Sequence, residues 1–242
     1  MSNPALAVGT IEVGNHITRK FLGVTLNVDT LYTTAIAGLV VIGLGLYLRR
    51  RITSGVPGGV QLLFETVTGQ IERQVETTMG VRTAPFVVPL ATTLFLFILV
   101  ANWVSVIPSG HSPEYLPSPT ADVNLVYAMA VLVIVWVHVT GVRKRGLVNY
   151  LRHFTKPYWW LTPFNVIEEL ARPVSLSLRL FGNIFSGGIM VALISLFPVY
   201  LLWGPNAAWK LFDMFIGLIQ AFIFALLTIL YFGFATSDEG GH

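Results

Sequence analysis

One arginine lies inside a long apolar stretch, where its charge needs an explanation. Arg179 occurs in the segment RPVSLSLRLFGNIFSGG, residues 172–188. Arginine keeps its charge in proteins, and a charge at the centre of a membrane helix costs about 2.5–3.5 kcal/mol on insertion scales. A cost of this size predicts that Arg179 has a partner, water or a function, and charged residues inside membranes commonly mark ion paths.

Further polar residues share a helical face with this arginine. At about 100° per residue, six polar side chains fall within an arc of about 80° centred on Arg179. They are Glu168, Arg172, Ser175, Arg179, Asn183 and Ser186. Leucine, isoleucine and phenylalanine fill much of the remaining surface, so the helix has one polar stripe and one face suited to lipid or apolar protein. The alternative is that the stripe only packs helices together.

The last apolar stretch carries a second polar set. Asp213 and Gln220 are seven positions apart and share a helical face, and Gly217 between them allows a close helix approach. If the two final helices pack antiparallel, Asp213 lies in the outer half of the membrane and Gln220 near the depth of Arg179. Such a row fits proton movement through two half-paths separated by a fixed positive charge. For Asp213, an ion pair with Lys210 or an interfacial position is the alternative.

Composition places the chain in a membrane. Of its 242 residues, 54% are hydrophobic and 11% are charged, which argues against a soluble domain. The basic residues form short clusters at the ends of apolar runs, so they predict membrane topology and anchoring to lipid, and not nucleic-acid binding. The absence of cysteine excludes disulfides, thiolate metal sites and cysteine nucleophiles. We expect no cofactor, no metal and no removable signal peptide.

The elements that must position these residues follow from the apolar pattern. It predicts an all-α membrane protein with about five transmembrane helices and one interfacial amphipathic helix. The predicted segments are an external N-terminal segment at 1–30, membrane helices at 31–48, 85–107, 123–142, 164–197 and 206–235, an amphipathic helix at 60–80, an external loop at 109–122, a cytoplasmic connection at 143–163 and a cytoplasmic tail at 236–242.

Length and charge add two expectations about this arrangement. As one helix, residues 164–197 would measure about 50 Å against a hydrocarbon core of about 30 Å, so this helix must tilt strongly, bend or project past the membrane. The last two membrane helices form a long hairpin, which we expect to be strongly tilted. The basic clusters 49–51 and 143–145 place those helix ends in the cytoplasm. The amphipathic helix at 60–80 fits either the membrane surface or a partner subunit.

Several segments resemble a known family. Residues 172–183, RPVSLSLRLFGN, resemble the signature of the a subunits of F-type ATP synthases, and residues 220–224, QAFIF, resemble its second signature. The resemblance extends to residues 102–108 and 119–124. Many relatives carry a carboxylate soon after the first signature, where this chain has Gly188.

The resemblance implies roles for individual residues. Arg179 would be the essential arginine that faces the rotating ring of c subunits. Ser175, Asn183 and Gln220 would line the path near that arginine, Glu168 would belong to the cytoplasmic half-channel, and Asp213 would belong to the outer half-channel.

The function implied is that of a proton-translocating stator subunit without catalysis of its own. Its partners would be the c-subunit ring, b-type subunits of the peripheral stalk, the rest of the synthase and membrane lipid. It would lie in the bacterial plasma membrane, with the N-terminus external and the C-terminus cytoplasmic. Two alternatives are a self-contained transporter or channel using Arg179 and Asp213, which the lack of visible internal repeats weakens, and a membrane scaffold.

Overall fold

The computed structural model describes residues 18–21, 24–53, 55–104, 119–146, 196–198 and 200–236, together with 187, 189–190 and 193–194. Two short strands and five α-helices are present in this part of the chain. They are β1 (Thr18–Phe21), β2 (Val24–Asn27), α1 (Val28–Arg51), α2 (Gly59–Thr78), α3 (Val87–Val104), a 3-10 turn (Pro119–Ala121), α4 (Val123–Arg145) and α5 (Trp203–Thr236). Most of the predicted helix at 164–197 lies outside the described residues.

Four of these helices, α1, α3, α4 and α5, are long and apolar enough to cross a membrane. The predicted fold class, an all-α membrane protein, is confirmed by this architecture. Helix α1 begins three residues before the predicted span and continues through the arginines 49–51. Its outward side chains, such as Leu39 and Ile42, are exposed, as expected for a helix that faces lipid.

The N-terminal segment contains a small antiparallel hairpin directly before α1. Strands β1 and β2 pair from Thr18 with Asn27 to Phe21 with Val24. The hairpin continues into α1 without an intervening loop, because Asn27 is both the last residue of β2 and the residue before the helix. The end of the N-terminal segment is therefore fixed next to the first turn of α1.

Helix α3 is central to the core and packs against α1, α2 and α5. Small side chains allow the close contacts, since Ala91 and Ala101 on α3 and Ala221 on α5 are fully buried. Larger residues, including Phe95 and Phe232, fill the space between the helices. The core thus combines small contact points with aromatic packing, as helix pairs in membranes commonly do.

Helix α2 packs partly on the chain's own membrane helices. Ile71 and Val75 are buried in the same core as α3 and α5, whereas Leu62 and Leu63 near the start of α2 are exposed. The sequence predicted an apolar stripe directed toward the membrane surface or another subunit. The structure instead divides that stripe, because Val67, Ile71 and Val75 pack in or against the core, whereas Leu62 and Leu63 do not.

Helix α5 begins earlier than predicted. The sequence pattern placed the start at residue 206, after Pro205, but the helix begins at Trp203. Proline is tolerated in the first turn of a helix, because its missing N–H would have no intrahelical partner there. Pro205 therefore lies inside the first turn and does not end the preceding loop.

Candidate functional site

The predicted site residues divide into two groups. Four of them, Glu168, Ser175, Arg179 and Asn183, lie outside the described residues, as does Gly188. The structure describes Asp213 and Gln220, both on α5. The geometry of the site is therefore built from α5 and the elements packed against it.

Gln220 occupies the middle of α5 and is 5% exposed. Its Nε2 is buried and has no hydrogen-bond partner among the described residues. A buried donor without a partner costs about 1–3 kcal/mol, and most buried side-chain amides avoid that cost. Among the described residues, the carboxamide of Gln220 is thus a buried polar group whose Nε2 lacks a hydrogen bond.

Asp213 lies about 10 Å along the helix from Gln220, at a rise of 1.5 Å per residue. It is half-buried, whereas its neighbours Leu211 and Phe212 are exposed. Gly217 and Gln220 continue the same side of α5 and are both buried. The predicted shared face is present, with a carboxylate at its margin and an amide at its centre.

Gly217 provides the predicted close approach on this face, and the neighbour is α3. A Cβ atom at Gly217 would lie 2.8 Å from Cβ of Asn102 and 3.3 Å from its Cγ. Carbon atoms in contact are about 3.5–4.0 Å apart, so only glycine fits here. The prediction of close packing at this position is confirmed.

Asn102 connects three elements through its carboxamide. Its Nδ2 donates to the carbonyl oxygen of Gly217 at 3.0 Å, and its Oδ1 accepts from the hydroxyl of Thr120 in the 3-10 turn. The next residue, Trp103, donates from Nε1 to the carbonyl oxygen of Met214 at 3.2 Å. Two polar side chains of α3 thereby bind the backbone of α5 between Asp213 and Gln220.

Asp122 is the centre of a second group of hydrogen bonds at the same end of the helices. Its Oδ2 accepts from Nδ2 of Asn27 at 2.8 Å and from the hydroxyl of Thr30 at 2.9 Å. Its Oδ1 accepts from the backbone N–H and the side-chain amide of Asn124 at 2.8 and 2.9 Å. One carboxylate therefore caps α4 and binds the start of α1 to it.

These donors keep Asp122 ionised. Burial of the carboxylate, which is 6% exposed, raises its pKa, but hydrogen bonds from Asn27, Asn124 and Thr30 outweigh burial, and the net pKa is lower than the ordinary value. The stabilisation from Asp122 is therefore complete above the ordinary pKa of an aspartate and is lost as the pH falls through the folded-state pKa.

The sequence did not predict that these polar groups meet. It placed Asp122 at the end of an external loop. In the structure, Asp122 is buried and bonds to Asn27, 95 positions earlier in the chain. Such distant pairs leave no periodic pattern, and the only available signal was the family resemblance at residues 102–108 and 119–124.

The basic end of α4 contacts the end of α5. Arg145 donates from Nη2 to the carbonyl oxygen of Phe234 at 3.1 Å, and Nζ of Lys144 lies 3.5 Å from the carbonyl oxygen of Thr236. The last carbonyls of a helix lack intrahelical donors and carry partial negative charge. These two residues, predicted as determinants of membrane topology and as lipid anchors, thus also cap α5.

The residues that the structure describes contain no cluster of side chains suited to binding a metal ion. Among them, no group of three or more histidine, aspartate or glutamate residues could hold an ion. His138 on α4 instead places Nδ1 2.8 Å from the carbonyl oxygen of Ile134. Because a carbonyl only accepts, Nδ1 carries the proton, and this histidine bonds within its own helix.

The fold and site define a multispanning helical membrane protein with buried polar groups on a very long final helix. Comparison with known proteins then gives the family: the model of the ATP synthase A chain family matches residues 31–233. The chain belongs to this family.

Named relatives agree with this membership over nearly the whole chain. An ATP synthase subunit a of Acidothermus cellulolyticus is 55% identical over 241 residues, covering 100% of this chain and 88% of the relative. A protein of the same name from Mycobacterium tuberculosis is 55% identical, covering 96% of each chain. One from Vibrio cholerae is 32% identical, covering 88% and 85%.

Proposed function

We propose that this chain is the proton-translocating stator subunit of an F-type ATP synthase. It provides two offset half-channels to the carboxylates of a c-subunit ring, and Arg179 separates them. Proton flow through the half-channels drives rotation of the ring and thereby ATP synthesis. Family membership supports this proposal, since the relatives named above are ATP synthase a subunits and the match covers nearly their whole length.

The observation that carries the proposal is the buried carboxamide of Gln220. A glutamine used only for packing would satisfy its amide within the protein, but Nε2 of Gln220 has no partner in the described part of the chain. Its position on α5, on the same face as Asp213, supports a site prepared for water, for Arg179 or for a group of the ring. We assign Ser175 and Asn183 to the same path near Arg179.

Arg179 acts on the ring carboxylate by charge. A cation within about 4–6 Å lowers the pKa of a carboxylate by about 1–3 units, so a ring carboxylate releases its proton when it faces Arg179. Beyond Arg179 it must take up a proton before it enters lipid, because an ionised carboxylate is costly there. The permanent charge of arginine also prevents protons from passing directly between the two half-channels.

The two half-channels give this cycle a direction. Asp213 serves the outer half-channel and Glu168 the cytoplasmic one, so a proton enters and leaves at different positions on the ring. Each charge that crosses a potential of 100 mV provides about 2.3 kcal/mol. Because the paths are offset, that free energy is released only when the ring rotates.

The same proposal gives the subunit its place in the cell. It lies in the bacterial plasma membrane and contacts the c-subunit ring, b-type subunits of the peripheral stalk and the rest of the complex. The arginines 49–51 and the basic end of α4 face the cytoplasm, as the positive-inside rule predicts. This assignment places the N-terminus outside and the C-terminus inside.

Arg179→Ala in the intact complex tests the proposal. We expect ATP-driven proton pumping to be abolished while the complex still assembles, because the alanine variant lacks the charge between the half-channels. Arg143→Ala is the matched control, since Arg143 is an exposed arginine at the end of α4, and it should pump normally. Normal pumping by Arg179→Ala would refute the proposal, and loss of assembly alone would favour a scaffold.

A further inference from the structure

Three consecutive arginines form an exposed cluster at the end of α1. Arg49, Arg50 and Arg51 occupy the last turn of the helix, and all three are exposed. The guanidinium of Arg51 lies 5.9 Å from the centre of the Tyr47 ring, a distance typical of a cation–π contact. This contact orients one of the three charges against the side of α1.

A buried glutamine fixes the start of α2 beside these arginines. Gln61, 6% exposed, accepts from the N–H of Thr53 at 3.2 Å and donates to its carbonyl oxygen at 2.9 Å. Its Nε2 also donates to Glu65 at 2.7 Å. Because Thr53 is two residues after Arg51, this pair of hydrogen bonds holds the first turn of α2 near the arginine cluster.

The start of α2 adds positive charge to the same place. Gly58 precedes the helix without a side-chain cap, and the first turn contains no acidic residue. The N-terminal end of a helix carries partial positive charge and unpaired N–H groups, which attract anions. Here that end supplements three full charges whose side chains are exposed.

Exposed apolar side chains flank the arginines along the chain. Tyr47 precedes the arginines, and Ile52, Val56 and Val60 follow them, all at least 48% exposed. In a membrane protein, positive charge beside exposed apolar side chains matches a lipid with an anionic headgroup and acyl chains. The corresponding cluster at the end of α4 differs, because Lys144 and Arg145 contact carbonyl oxygens of α5.

From these observations we propose that the junction of α1 and α2 is a binding site for an anionic phospholipid. The arginines 49–51 and the N-terminal end of α2 bind the headgroup phosphate, and Tyr47, Ile52, Val56 and Val60 contact the glycerol and acyl chains. The site is independent of the ion path, so it stands whether or not Arg179 acts as proposed above.

The full chain, purified in a neutral detergent, provides the test. Native mass spectrometry measures the retention of phosphatidylglycerol and of phosphatidylcholine with the same acyl chains. We expect at least a tenfold preference for phosphatidylglycerol. Arg50→Gln should lower its retention about fivefold, which corresponds to about 1 kcal/mol for one arginine near an anionic surface, and replacement of all three arginines should abolish the preference.

A variant with the same change in net charge is the control. Arg73, Arg82 and Arg143 are exposed elsewhere, and their combined replacement by glutamine should change retention less than twofold. Raising NaCl from about 0.1 to 1 M should weaken retention by the native chain, because salt screens exposed charges. Equal loss in the control, equal retention of both lipids, no effect of salt, or displacement by millimolar inorganic phosphate would each overturn the proposal.

The single variant keeps the test decisive if the triple variant fails to insert. Arg50→Gln retains two arginines at the end of α1, which is enough positive charge to keep the orientation of the helix. A fivefold loss of phosphatidylglycerol with unchanged retention of phosphatidylcholine supports the site. Unchanged retention of both lipids by this variant contradicts it.

Discussion

Replacement of Gly217 by alanine tests how closely α3 and α5 must approach. The added Cβ would lie 2.8 Å from Cβ of Asn102 and 3.3 Å from Nδ2 of the same side chain. Rotation of the Asn102 side chain cannot move its Cβ away, since Cβ is attached directly to the backbone of α3. The two helices must therefore separate by about 0.7–1.2 Å to reach ordinary contact distances.

The expected cost follows from three contributions. Overpacking of a filled interface costs about 1–3 kcal/mol. Separation of the helices also breaks the 3.0 Å hydrogen bond from Asn102 to the carbonyl oxygen of Gly217, which contributes about 0.5–1.5 kcal/mol. Alanine recovers about 1 kcal/mol through its higher helix propensity. We expect a net loss of about 2 kcal/mol in the free energy of unfolding.

Denaturant unfolding of the full chain in detergent measures this loss. Gly43→Ala is the matched control, because Gly43 lies in α1 and a Cβ there meets no atom within 4 Å. The control should be neutral or slightly more stable than the native chain, since only the helix propensity changes. Proton conduction by the complex should fall with Gly217→Ala and stay unchanged with Gly43→Ala.

A second variant identifies the atom responsible. Asn102→Gly removes the Cβ that the new methyl group would meet, so the double variant Gly217→Ala with Asn102→Gly should lose less stability than the sum of the two single variants. Equal stability of Gly217→Ala and Gly43→Ala would show that the interface is looser than the 2.8 Å distance implies. It would refute the argument for glycine at this position.

Three further predictions concern other polar or small positions. Asp122→Asn should lower stability by about 2 kcal/mol at neutral pH, because the new amide nitrogen cannot accept the two bonds that Oδ2 receives. The difference in stability from the native chain should shrink as the pH falls below about 4. A constant difference down to about pH 2 in denaturant unfolding would contradict the role of the Asp122 charge. Gln220→Leu should retain or raise stability, since it removes a buried amide whose Nε2 has no partner in the described part of the chain. It should nevertheless reduce ATP-driven proton pumping at least tenfold, and unchanged pumping would remove Gln220 from the path. Gly233→Ala should lower stability by about 1–3 kcal/mol, because its Cβ would lie 2.7 Å from Cγ2 of Thr78. In thermal unfolding, adding Thr78→Ser should restore most of the lost stability, and a failure of serine to restore it would place the clash elsewhere.

The membrane helices could be predicted from sequence because each one is specified locally. A run of about 18 or more apolar residues indicates a span whatever it packs against, and basic residues at its end mark the boundary. The prediction was less accurate where packing decides. The sequence predicts one apolar stripe on α2, but Val75 is buried against α3 and α5 while Leu63 is exposed. At about 100° per residue these two side chains lie about 120° apart around the helix, and the sequence does not show how much of that arc the neighbouring helices cover.

The candidate site was predictable in part for the same reason. Asp213, Gly217 and Gln220 share a face of one helix, so their spacing alone placed them together. The bonds of Asn102 to Gly217 and of Asn27 to Asp122 join elements 115 and 95 positions apart. Only the arrangement of whole helices brings such residues together, and a single sequence contains no periodic trace of it.

The two glycine contacts of α5 have a mechanical consequence. Gly217 meets Asn102 of α3, and Gly233 meets Thr78 of α2, at points about 24 Å apart along the helix axis. A helix held at one point can pivot under a sideways force, whereas a helix held at two separated points transmits the force to both of its neighbours. A force applied to the exposed side of α5 is therefore transmitted to α2 and α3 together, and the helix resists tilting.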